Sequence, residues 1–165
     1  MIFISSTIKD KRFIGENTLT DLFTWIDSAY AVHPNMKGRT GGAMSMGYGI
    51  IHAKGNKQKI NTKSSTESEF VGFRKYIPYN IWLMLFMEEQ GYKIVSYTVY
   101  QDNQSTIKML INRRNSCTVN SRNFDFRYFF VKNRIKNGEF KVEYCPSTKM
   151  IANYFTKPLM GERFR

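Results

Sequence analysis

The chain has 165 residues, 42% hydrophobic and 23% charged, with 25 Lys and Arg against 13 Asp and Glu and a formal net charge of +12. That length sets one domain, with enough residues for a real core, as the expectation. The positive balance excludes a general binder of cations: such a field draws polyanions, so any metal has to be held in a local acidic pocket. Cys117 and Cys145 stand far apart with no CxxC pair, and His33 and His52 do not cluster with them. Zinc is therefore not expected, and a reducing intracellular compartment is the default. The opening MIFISS is too short for a secretory apolar segment. The longest apolar run, IWLMLFM at 81–87, falls far below a membrane span and reads as a buried helix.

In chain order, residues 1–21 read as a leader or linker, 22–161 as the folded domain and 162–165 as a tail. Residues 22–32 alternate as a strand, with Phe23, Trp25 and Asp27 on one face and Leu22, Thr24 and Ile26 on the other. HPNMKGRTGG is a turn-rich break in which Gly41 and Gly42 read as turn glycines. Residues 44–52 and 57–63 form two more strands across a Gly55-Asn56 turn. A helix starts at Ser64 or Ser65 and runs to about Tyr76. Pro78 kinks or restarts it, and a second apolar helix continues to Gln90 before Gly91. Residues 94–101 form a fourth strand, followed by a helix over 103–112 and a basic, largely helical stretch over 113–137. Residues 139–145 form a fifth strand, and Pro146 and Ser147 open a last helix through Phe155. The order βββαβαβα predicts an α/β fold whose five-stranded mixed sheet has three antiparallel and two parallel strands.

That order gives three acids a common address. Asp27 and Asp102 end strands one and four; if those strands are parallel neighbours, both ends lie at one sheet edge, where ligands of open α/β sheets gather. Crowded carboxylates repel one another, and a cation resolves the repulsion. Two structural readings stand beside this: Asp27 capping a turn, and Asp102 capping the helix that starts at Asn103. The glutamate is a choice of two. Ser64 with Glu67 forms a capping-box pattern, which occupies Glu67 and favours Glu69 as the third ligand.

The segments TKSSTESEF, YQDNQSTIKML, FDFRYFFVKNRI and IANYFTKPL together resemble the RNase H domain of copia-type LTR retrotransposon Pol polyproteins. The resemblance covers roughly residues 22–161. It implies an RNase H-like fold and Mg²⁺ (or Mn²⁺)-dependent hydrolysis of the RNA strand of RNA–DNA hybrids during reverse transcription. It also implies metal-binding acids at Asp27, Glu69 and Asp102, an adjacent reverse transcriptase domain as a partner, and residence in a cytoplasmic virus-like particle. A fourth catalytic acid is expected in the last helix, where this chain has Asn153. Asn123 stands where the family usually has His, and Asp125 in that motif reads as a structural partner of Arg127 or Arg122. Asn153 keeps a carbonyl oxygen for a metal but brings no charge, which weakens the second of two metal positions most. These departures, with no polymerase domain attached, suggest a detached or decaying element copy.

The mechanism expected of such a site is two-metal phosphodiester hydrolysis. Hybrid selection then rests on the A-form-like shape and the 2′-hydroxyls, with phosphate contacts giving position. Candidate nucleic-acid-binding residues are Lys54, Lys57 and Lys59 near the second hairpin, and Arg113, Arg114, Lys132, Arg134 and Lys136. Three readings compete: a ribonuclease H, active or weakly so; a catalytically inactive nucleic-acid-binding remnant of a Pol polyprotein; and an integrase-like core using Glu139, 37 residues after Asp102. The last is disfavoured because Glu139 starts a strand and Glu69 sits early on a helix.

Overall fold

The computed structural model describes residues 20–47, 49–112 and 130–157. The sequence expectations for the 1–21 leader (all but its last two residues), Arg113, Arg114, Cys117, Asn123, Asp125 and the 162–165 tail fall outside them. Three strands open the fold: β1 (Asp21–Ala29), β2 (Arg39–Ser45) and β3 (Ile50–Lys57). The helix α1 (Ser65–Glu89), strand β4 (Ser96–Gln101) and helix α2 (Gln104–Asn112) follow. A helix described over 130–136 (α3) leads to β5 (Lys141–Tyr144), a 3₁₀ turn (Ser147–Lys149) and the short α4 (Asn153–Thr156). The sheet order is β3-β2-β1-β4-β5. β1–β2 and β2–β3 are antiparallel, whereas β1–β4 and β4–β5 are parallel. This is the mixed five-stranded sheet expected from the element order.

The alternation in β1 divides two apolar clusters. Leu22 and Ile26 face a large core with Phe70, Phe73, Tyr76 and Ile77 of α1, Val99, Leu110, Val131 and Phe140. Trp25 faces the opposite layer, a smaller cluster with Cys145, Met150 and Ala152 that carries α4. Helix α1 begins as a capping box: the Ser64 hydroxyl accepts from the Glu67 amide at 3.1 Å, and the Glu67 carboxylate accepts from the Lys63 amide at 2.6 Å.

Three expectations need correction. The turn of the β2–β3 hairpin falls between Ser45 and Ile50, where Gly47 has a φ of +101°, and not at Gly55-Asn56, which sits inside β3. Gly41 and Gly42 are likewise strand residues, not turn residues. They are glycine because other layers press on both faces of β2: a Cβ on Gly42 would enter the Tyr76 ring, and one on Gly41 would come within 2.6 Å of the Thr156 methyl and 2.9 Å of the Ala152 carbonyl. A residue-by-residue turn signal cannot register such pressure. Second, α1 runs unbroken through Pro78 for 25 residues. Buried Ile77 and Asn80 on either side anchor the turn that the proline weakens. Third, the run 81–87 is not fully buried: Trp82 is 64%, Leu85 57% and Phe86 47% exposed. The last fully buried residue of α1 is Asn80; beyond it Ile81, Leu83, Met84 and Met87 still pack, partly buried, against the large core, while on the exposed face Trp82 stacks on Phe86 at 5.5 Å.

Candidate metal centre

Parallel pairing of β1 with β4, in register from Asp21↔Ser96 to Trp25↔Tyr100, carries Asp27 and Asp102 to one edge. Asp27 lies within β1, two residues before its end, and Asp102 directly follows β4. Helix α1 crosses β1 so closely that Gly72 lies against the Ser28 and Thr40 hydroxyl groups, which brings Glu69 of its first turns to the same edge. One carboxylate oxygen from each of Asp27, Glu69 and Asp102 lies within 4.8 Å of the other two. Glu67 is engaged in the capping box, away from this cluster, as the capping argument anticipated.

Each acid is held by its neighbours. The buried Asp27 carboxylate accepts from the Thr156 hydroxyl and from the Lys157 ammonium at 3.3 Å. Glu69 accepts from the Gln101 side-chain amide at 3.4 Å and from the Ser28 backbone amide. Asp102 accepts from the Ser147 hydroxyl at 2.8 Å. It does not cap α2; Asn103 does, accepting from the Thr106 amide at 3.1 Å. Burial pushes the Asp27 carboxyl up, against the Thr156 hydrogen bond that lowers it. Glu69 is pushed well above the usual carboxylate range, first by burial and then by the charges of Asp27 and Asp102.

The donor set fits a hard divalent ion. Three carboxylates supply only oxygen ligands. Their mutual repulsion is the force that a cation relieves. Opposite oxygens on an ion ringed at about 2.1 Å lie about 4.2 Å apart, within side-chain adjustment of the 4.8 Å separation. Asn153 completes the edge from the start of α4 but is already engaged at both ends. Its amide nitrogen donates to the Ser147 carbonyl at 2.8 Å, and its side-chain oxygen accepts from Lys157 at 2.6 Å. The oxygen expected to be open for a metal is therefore occupied by an ammonium. Thr156 and Lys157 went unread in the sequence, although the FTKPL motif contains both.

A cleft of about 400 Å³ adjoins the cluster, lined by Val32, Arg39, Tyr154, Phe155, Thr156 and Lys157. The other candidate cations divide into two groups. Lys54 donates to the Tyr79 hydroxyl at 2.7 Å and lies 4.7 Å over that ring. Lys59 lines a separate cavity of about 510 Å³ with Arg74 and Lys75, two cations that the sequence reading missed. Burial lowers the Lys75 ammonium, followed by repulsion from Lys59 and Lys54, so these lysines share one positive field. Lys57 contributes a backbone carbonyl to Lys75 at 3.4 Å. Lys132, Arg134 and Lys136 lie on α3, where Arg134 pairs with Glu139 and sits 4.7 Å over the Phe130 ring. Glu139 is thereby committed to Arg134 and is absent from the acidic cluster, which removes the integrase-like reading.

Sheet order, crossing helix and acidic edge define the class: this is an RNase H-like fold, and solved structures share it. The N-terminal RNase H domain of a Mycobacterium tuberculosis protein superposes with a TM-score of 0.55 at 11% identity, covering 83% of this chain and 91% of that one. LC11-RNase H1, solved in complex with an RNA/DNA hybrid, gives 0.57 at 10% identity over 82% and 93%. No family model matches the chain. In sequence, the chain is 24% identical over 139 residues to the transposon Ty1 Gag-Pol polyprotein of Saccharomyces cerevisiae, covering 84% of this chain and 8% of the relative. Ty1 is a copia-type element, so the resemblance first carried by four motifs holds in sequence and in fold. The chain spans about 8% of the length of the curated relatives it matches.

Proposed function

We propose that the chain is a divalent-metal-dependent endoribonuclease that hydrolyses the RNA strand of RNA–DNA hybrids during reverse transcription of a copia-type retrotransposon. The observation that carries this reading is the convergence of Asp27, Glu69 and Asp102 on one edge of an RNase H-like sheet. Those three carboxylates would hold the metal, with Mg²⁺ as the expected ion and Mn²⁺ as a substitute. When bound, such metal lowers the pKa of a water for attack at phosphorus and stabilises the departing 3′ oxygen. The chain's own residues prepare the site. Thr156 and Lys157 fix Asp27, Gln101 and the Ser28 amide fix Glu69, and Ser147 fixes Asp102.

The field of Lys54, Lys59 and Lys75, joined by Arg39 in the cleft, suits the phosphates of a hybrid. Residues 22–161 would form the domain, with 1–21 as a leader. In a longer polyprotein an adjacent reverse transcriptase domain would be its neighbour, within a cytoplasmic virus-like particle.

A second reading rests on one observation: Asn153 replaces the expected fourth acid and is hydrogen-bonded at both ends. On that reading the chain binds hybrid without cutting it. One assay separates the two. Purified protein with Mg²⁺ and an end-labelled hybrid should release RNA fragments, more slowly than an Asn153→Asp variant, and Asp102→Asn should abolish release. Unchanged cleavage by Asp102→Asn means that the assigned site is wrong. Equal cleavage of duplex DNA and hybrid sinks the substrate assignment. Hybrid binding without cleavage, gained only by Asn153→Asp, favours the binding-only reading.

A further inference from the structure

Lys157 is the one cation bonded to the acidic cluster among the described residues, and it does more than pair. Its ammonium bridges Asp27 Oδ1 at 3.3 Å and Asn153 Oδ1 at 2.6 Å. It therefore sits between a buried triad carboxylate and the position where a fourth acid is expected. We propose that the Lys157 ammonium occupies the second metal position, so that the chain binds one divalent ion at Asp27, Glu69 and Asp102 and none beside Asn153. The inference rests on the metal-dependent reading above and sharpens it.

Charge supports a single ion. With all three acids ionised, the triad and Lys157 carry two net negative charges, which one divalent ion cancels. A second ion would leave the cluster at plus two, inside a chain whose own charge is +12. Unlike charges attract and like charges repel most strongly where solvent is excluded; the Asp27 side chain is 1% exposed, while Lys157, 42% exposed, is partly screened by solvent.

Local geometry supports it as well. The Asn153 amide donates to the Ser147 carbonyl at 2.8 Å, a bond that a carboxylate cannot make. Ser147 in turn donates to Asp102. The pair Asn153 and Lys157, one helical turn apart, is thus matched to its surroundings: the asparagine satisfies a carbonyl on one side and an ammonium on the other. Lys157 also lines the 400 Å³ cleft, so its charge is within reach of a phosphate oxygen placed there. It acts as a positioning and charge-compensating group, independent of whether turnover is fast or slow.

The test counts ions without relying on activity. Mn²⁺ is titrated into the purified chain and the free aqueous ion is followed by its electron paramagnetic resonance signal. Wild type should bind one Mn²⁺. Lys157→Met should tighten that site by about tenfold, because a repelling charge is removed. The Asn153→Asp/Lys157→Met double variant should bind two. Circular dichroism melts establish that each variant is folded, and the single Lys157 variant decides the matter if the double variant does not fold. Two ions on wild type, or unchanged affinity in Lys157→Met, overturns the inference while leaving metal-dependent hydrolysis standing. No ion on wild type at millimolar Mn²⁺ overturns both.

Discussion

The two faces of the sheet do different work. Among the described residues, the apolar cluster on the α1 face has 13 buried and nine partly buried side chains, whereas that on the α4 face has four of each. The thick face carries stability and delivers Glu69. The thin face carries Thr156, Asn153 and Lys157, the groups that surround Asp27. This small layer sets the charge balance of the candidate metal site. Fold and site chemistry are therefore separable by face, and substitutions can test the separation.

The largest expected effect is on the thick face. Phe73 is fully buried between the sheet and Phe140, so Phe73→Ala should cost about 3–5 kcal/mol in urea denaturation. Met150→Ala on the thin face should cost nearer about 2 kcal/mol, the low end for such a truncation. Equal losses would break the comparison and make the α4 layer a full core.

Adjacent glycines on β2 sharpen it further. Each alanine adds one methyl group, with an overpacking cost of about 1–3 kcal/mol. Gly42→Ala presses on Tyr76 in the thick face and should leave Mn²⁺ affinity unchanged. Gly41→Ala meets the Ala152 carbonyl at 2.9 Å and Phe155 Cβ at 2.9 Å, so α4 must shift and take Lys157 with it. Its Mn²⁺ affinity should rise, in the direction expected for Lys157→Met. A shift in affinity from Gly42→Ala instead would mean that the two faces are coupled through β2.

The same division explains what was legible in the sequence. Asp27, Glu69 and Asp102 were readable because each sits close to a strand end or helix start with a local pattern, and the order of elements dictates where those ends meet. The capping box isolated Glu69 from Glu67 for the same local reason. Lys157 and Thr156 were not readable, because their partner Asp27 lies 130 and 129 residues away. No spacing rule joins them. Gly41, Gly42 and Gly55 misled for a related reason: their lack of a side chain answers pressure from α1 and α4, although glycine pairs ordinarily mark turns. The basic groups were half legible. Lys54 and Lys59 stand out in sequence, but Lys75 joins them only because α1 packs beside β3.

The smallest predicted effect tests whether the thick face responds to pH without involving the site. His52 lies on β3, with its Nδ1 2.8 Å from the Tyr76 hydroxyl and its ring 5.3 Å from that of Tyr79. Burial lowers its pKa below the ordinary 6.5, and Lys54 adds to the lowering. The unfolded chain then binds more protons than the folded one between the lowered value and 6.5. The His52 contribution to stability should accordingly be complete above the ordinary histidine value and should fall as pH drops through it toward the lowered value. Because the ring is partly exposed, solvent screening leaves a change of on the order of 1 °C in Tm. The difference in slope between wild type and His52→Gln should be the same with and without saturating Mn²⁺, because the raised carboxyls of Asp27 and Glu69, whose protons Mn²⁺ displaces, are common to both proteins. A difference that Mn²⁺ abolishes would show that the His52 titration is coupled to the acidic edge, and the two faces would then have to be treated as one electrostatic unit.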